Sequence, residues 1–175
     1  MFFNKKFNSL EVAREIIKNT GLDENLGILK QKKYEVPTPA KDVLKLVMAL
    51  STCNLVQAMK ADFIIREITE EERGAITREY VLESFRKQDL IPLSGKEEME
   101  EVRQGVMAIV TELQEFWVGT EDPPGSGPGP RYYCVKEILG RLGGQQNYEL
   151  HDALFELMYL QYKHYLSFFT KYLES

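Results

Sequence analysis

The sequence predicts an all-α fold: an irregular bundle of five to six helices, with a Gly/Pro-rich loop before a C-terminal helical hairpin. Three observations carry this. Between positions 147 and 173 there is neither Pro nor Gly, and most side chains are large and apolar or aromatic. Helix-start signals recur at Asn8/Glu11, Thr38-Pro39, Thr69/Glu72 and Ser94/Glu97. Finally, Met99, Val102, Val106, Ile109, Leu113 and Phe116 recur at the spacing of one helical face.

The elements follow in order. Asn8 and Glu11 form a capping box that opens a helix through Leu10, Ala13, Ile16 and Ile17, and Gly21 closes it. Leu22, Leu26 and Leu29 mark a short helical turn at most. Thr38-Pro39 starts a helix through Val43, Leu44, Val47, Met48, Leu55 and Met59, extending towards Ile68. Ser51-Thr52-Cys53-Asn54 are poor helix formers, so a bend is expected there. A hairpin pairing Leu55-Val56 with 63–65 competes over this stretch, although the continuous helix fits the 3.6-residue period better. Thr69/Glu72 and Ser94/Glu97 open two more helices with acidic first turns, which suit the positive end of the helix dipole. The first carries Ile76, Tyr80, Val81 and Phe85, the second the Met99–Phe116 face. Residues 119–130 hold four Gly and four Pro in twelve positions, a composition that neither helix nor sheet tolerates. A helix over 132–142, a Gly143-Gly144 stop and a long helix over 147–174 complete the chain. Segments 39–68, 95–118 and 147–173 would each span about 35–45 Å, lengths that suit antiparallel packing. The whole is read as one domain, 1–175, divisible into a helical core (1–118), a loop (119–130) and a C-terminal hairpin (131–175).

In the last helix the polar residues Glu149, Asp152, Glu156, Lys163, Ser167 and Thr170 form one narrow stripe. So wide an apolar arc needs cover on most sides, from its own chain or from a partner. Tyr159, Tyr162, Tyr165, Phe169 and Tyr172 are the candidate interface or ligand-lining residues. Tyrosine suits a surface on which one end of the side chain stays wet.

The totals exclude several functions. With 175 residues, 43% hydrophobic and 28% charged, the chain can bury a sizeable core without staples. A net charge of −5 argues against a nucleic-acid coat, and the basic clusters Lys5/Lys6 and Lys30/Lys32/Lys33 read as solvated loops before they read as phosphate contacts. No apolar run approaches the ~20 residues of a membrane span, and the N-terminus lacks the apolar core of a signal peptide. Cys53 and Cys134 are in no metal spacing and read as buried thiols of a reducing compartment, which points to the cytoplasm.

No chemistry is encoded locally. The two histidines, His151 and His164, would point to different sides of one helix, and no Glu-x-x-His pair exists. Gly125 to Pro130 lacks the Lys-Ser/Thr of a phosphate loop. There is no nucleophile elbow, no Cys/His dyad and no Cys-x-x-Cys. No metal or cofactor is expected. The function that best fits is a non-catalytic protein-binding or assembly module, self-associating or bound to a protein partner. Two alternatives come from other classes: a nucleic-acid-binding winged helix over 38–88, with 55–68 as the wing, and an enzyme or carrier with an aromatic-lined pocket on the last helix.

Overall fold

The computed structural model describes residues 8–19, 40–86, 96–115, 130–141 and 147–174. Of these, 92% are helical, and no strand occurs among them. The helices are α1 (Ser9–Asn19), α2 (Ala40–Ala58), the single turn α3 (Asp62–Ile65), α4 (Glu70–Arg86), α5 (Lys96–Glu115), α6 (Pro130–Arg141) and α7 (Tyr148–Glu174).

Three helix starts show their chemistry. Asn8 Oδ1 accepts the Glu11 amide at 3.2 Å. Thr69 and Glu72 complete a reciprocal box: the Thr69 amide donates to Glu72 Oε2 at 2.8 Å, and the Glu72 amide to Thr69 Oγ1 at 3.2 Å. Asn147 Oδ1 accepts the Leu150 amide at 3.0 Å. The Thr38-Pro39 start, the Gly21 and Gly143-Gly144 stops, Ser94 and residues 22–37 lie outside the described residues, as does the Gly/Pro-rich stretch as far as position 129. Pro130 is the first residue of α6.

The segment 39–68 is neither one helix nor a helix followed by a hairpin. α2 runs unbroken through Ser51-Thr52-Cys53-Asn54, all fully buried, and Thr52 Oγ1 donates to the Met48 carbonyl at 2.7 Å. Tertiary burial overrides their weak helix propensity. The chain leaves the helix at Met59-Lys60-Ala61 by three-residue bonds, Lys60 N to Gln57 O and Ala61 N to Ala58 O. It then turns once more, with Ile64 and Ile65 amides on the Ala61 carbonyl. Because these backbone groups are satisfied locally, the 55–68 hairpin does not form, and the winged-helix alternative loses its wing.

The central element is α2. Residues from Leu44 to Leu50 are almost all inaccessible, apart from Lys45, and α2 packs against α4, α5, α6 and α7. It threads two apolar clusters. One joins Leu44–Cys53 to Val102, Val106, Val110 and Leu113 of α5, to α6, and to Leu150, Leu154 and Met158 of α7. The other joins Leu55, Ala58 and Met59 to α1, to Ile64 and Ile68, to Ile76 and Tyr80 of α4, and to Tyr165 and Phe169 of α7. The fully buried Val110 belongs to the α5 face alongside the residues its spacing predicts, whereas Ile109 is only partly buried.

Between the clusters lies a polar layer. Asn54 Nδ2 donates to the Met158 carbonyl at 2.7 Å and to Gln161 Oε1 at 3.1 Å, and Gln161 Nε2 donates to Ser51 Oγ at 3.3 Å. Asn54 is wholly buried and Gln161 nearly so. Two further contacts tie the periphery. Gly105 lets the Lys45 stem lie across α5, since a Cβ there would stand 3.2 Å from Lys45 Cδ. Lys45 Nζ meanwhile reaches Glu101 at 3.3 Å and Asp42 at 3.5 Å. Lys45 lies beside residues 101 and 105, while Val56 and Lys60 share a groove with Met107 and Thr111, so α2 and α5 run in the same sense rather than antiparallel. Arg14 of α1 meets the buried carboxylate of Glu83 on α4 at 3.0 Å.

Two substitutions test this arrangement by chemical denaturation. Val106→Asp places an unpaired charge at a fully buried site and should cost about 4 kcal/mol. Asn54→Ala removes the donor to Gln161 Oε1 and opens a small void, and should cost about 2–3 kcal/mol. In a double-mutant cycle with Gln161→Ala, the combined loss should be smaller than the sum of the two single losses, because the partners share one interaction.

Candidate functional site

α7 has one face in the core and one in water. Leu150, His151, Leu154, Met158, Gln161, Tyr165 and Phe169 are buried. Glu149, Asp152, Glu156, Lys163, Ser167 and Thr170 are all exposed, as their spacing predicts. Between these faces runs a flank of partly covered apolar side chains. Phe155, Tyr159, Tyr162 and Leu166 follow one another at steps of four, three and four residues, which stacks them in a line along the helix. Phe155, Tyr162 and Leu166 are half-buried, Tyr159 is 45% exposed, and Tyr148, two turns before Phe155, is 76% exposed. Leu160, 46% exposed, lies on the opposite flank. Lys163 Nζ sits 4.4 Å from the Tyr159 ring centroid.

The five aromatic residues singled out by the sequence therefore divide. Tyr165 and Phe169 are fully buried core residues. Tyr172 is half-buried and stacks on Phe168, with centroids 5.6 Å apart. Partial burial and the nearby Glu11 carboxylate of α1 push its hydroxyl pKa up. Tyr159 and Tyr162 alone of the five lie on the exposed flank. Lys30, Lys32 and Lys33 lie outside the described residues.

Tyr165 takes part in a buried polar contact. Its hydroxyl meets that of Tyr80 at 2.9 Å, with the rings edge to face and centroids 6.3 Å apart. Burial holds the Tyr80 hydroxyl up at about 12, against smaller opposing effects from its bond to Tyr165 and from the neighbouring Ser84 and Ser51. Neither Cys53 nor Cys134 forms a disulfide, and both are buried in the same apolar cluster. Burial, reinforced by the neighbouring Cys134, pushes the Cys53 thiol far up, which leaves it inert as a nucleophile. His151 is buried, with Nδ1 3.3 Å from Asp152 Oδ1 and its ring stacked on Phe155, whereas His164 is exposed. Among the described residues, no three His, Cys, Asp or Glu side chains come together in a group able to hold a metal ion. No described helix is long and apolar enough to cross a membrane.

Concavities on two sides of the described surface bear on the site. A depression of about 310 Å³ on α7 is bordered by His164, Ser167, Phe168 and Lys171, with none of the five predicted aromatic residues in its lining. A larger groove of about 460 Å³ lies where the end of α2 meets α4 and α5. Its charged lining, Lys60, Glu70, Arg73 and Arg78, comes from the turn after α2 and from α4, and no sequence motif announces it.

The Tyr80 hydroxyl sets an alkaline limit. Its pKa is raised from 10.0 to about 12, so folding favours the protonated form. This contribution is fully present below pH 10 and is lost as the pH rises through about 12. Stability measured by denaturant titration should fall across that window, with tyrosinate absorbance rising in parallel. Tyr80→Phe should shrink the slope.

Set against known proteins, the chain matches no family model, no curated protein and no solved structure.

Proposed function

We propose that this chain is a non-catalytic protein-binding or assembly module that docks its partner on the Phe155–Tyr159–Tyr162–Leu166 flank of α7. The observation that supports this is a helix with one face in the core and, beside it, a line of aromatic and aliphatic side chains left part-covered, with Tyr159 45% exposed. Tyrosine gives a large apolar contact while its hydroxyl stays hydrated, the composition favoured at protein interfaces. Side chains in line at helical spacing match a partner helix carrying its own apolar row. The first partner to consider is a second copy of the chain, because the same row on two copies is self-complementary about a two-fold axis. The buried thiols of Cys53 and Cys134 suit a reducing compartment, so the proposed setting is the cytoplasm.

Sedimentation equilibrium tests the reading. The expected result is a dimer or larger species at micromolar concentration. Tyr159→Ser with Leu166→Ser should dissociate it and leave the melting temperature nearly unchanged, because both side chains are at least partly solvated. A monomer at all concentrations, from which no partner is displaced by the same substitutions, overturns the proposal.

A further inference from the structure

The groove between the end of α2, α4 and α5 has an apolar floor and a cationic rim. The floor is Val56, Met59, Met107 and Val110. Among the described lining residues, the rim carries Lys60, Arg73 and Arg78 against the carboxylate of Glu70, an excess of two positive charges in a chain of net charge −5. None of these three cations forms a salt bridge with a described residue. Arg73 Nη1 donates to the Ile68 carbonyl, which ties its guanidinium to the start of α4. The Thr77 and Thr111 hydroxyls in the wall are spent on the Arg73 and Met107 carbonyls of their own helices, so the guanidinium and ammonium groups are the donors left to face a ligand.

Gly74 adds an independent sign. Glycine inside a helix is less favourable than alanine. At Gly105 the close passage of Lys45 explains the glycine. At Gly74 no such crowding exists: a Cβ would meet only Arg78 Nη1, at an ordinary 3.6 Å. What the missing side chain leaves is a notch in the groove wall beside the Arg78 guanidinium.

We propose that this groove binds an organic phosphate monoester, its dianionic head on Arg73, Arg78 and Lys60 and its apolar body on the Met59–Met107 floor. The head matches the local charge excess and the two guanidinium groups of the lining, whose planar donors suit phosphate oxygens. The body matches the floor, and a groove of about 460 Å³ is of small-molecule size. The site shares no residue with the α7 flank.

Calorimetric titration of the full chain with phenyl phosphate, inorganic phosphate and phenol tests the proposal. Phenyl phosphate should bind at least about tenfold more tightly than either of its parts. Arg78→Ala and Lys60→Ala, both at exposed positions, should each weaken it about tenfold while the melting temperature holds. Gly74→Leu should abolish binding by filling the notch, and Gly74→Ala should retain it. Cosedimentation with vesicles containing phosphatidic acid, lost in Arg78→Ala, would identify the ester as a lipid head. Binding of phenyl phosphate without cosedimentation would identify a soluble ester. Phenyl phosphate that binds no better than its parts, or binds equally well to Arg78→Ala and Lys60→Ala, overturns the proposal.

Discussion

The structure depends on one buried amide. Asn54, inside α2 and out of reach of water, donates to the Met158 carbonyl in the middle of α7 and to Gln161 one turn on. An unpaired amide in this setting costs about 1–3 kcal/mol, so α2 and α7 must meet where both side chains are satisfied. Sliding α7 by a single turn would pull Gln161 away from both Asn54 and Ser51. The polar layer thus sets the register between the two helices that pass through both apolar clusters.

Register and stability come from different sources. A buried Leu, Ile or Met side chain contributes about 1.5–3 kcal/mol, and the two clusters contain many of them. A satisfied neutral hydrogen bond adds only about 1 kcal/mol net. The clusters therefore hold the fold together, and the Asn54–Gln161–Ser51 layer selects one arrangement among those that would bury similar apolar area. The Tyr80–Tyr165 hydroxyl pair extends this selection to α4, and the Arg14–Glu83 pair extends it to α1.

The two proposed surfaces follow from the same geometry. α2 takes the central place, so α7 needs only part of its apolar arc for the core and leaves the Tyr159 flank over. The early end of α2 at Ala58 turns Lys60 towards Arg73 and Arg78 across a gap that α4 and α5 do not close. One surface is a helix flank of protein-contact composition, the other a concave site with charge and an apolar floor. Neither involves the buried cysteines, which lie within the apolar core.

Local sequence was enough for what depends on neighbours along the chain. The Asn8 and Thr69 caps, the Val102–Val106–Leu113 seam and the exposed stripe of α7 were legible because capping and 3.6-residue periodicity act within a few residues. The helical class follows from these signals alone. What tertiary structure decided was which apolar helix is central. α7 has the longer aromatic run, but α2 is covered on all sides, because Ser51 and Asn54 find partners over a hundred residues away. No local rule marks a buried polar residue that a distant helix will satisfy. For the same reason Tyr165 and Tyr159, alike in sequence, part company in space. The groove was equally invisible, since Lys60, Arg73 and Arg78 become neighbours only once the chain turns between Ala58 and Thr69 and packs α4 beside α2.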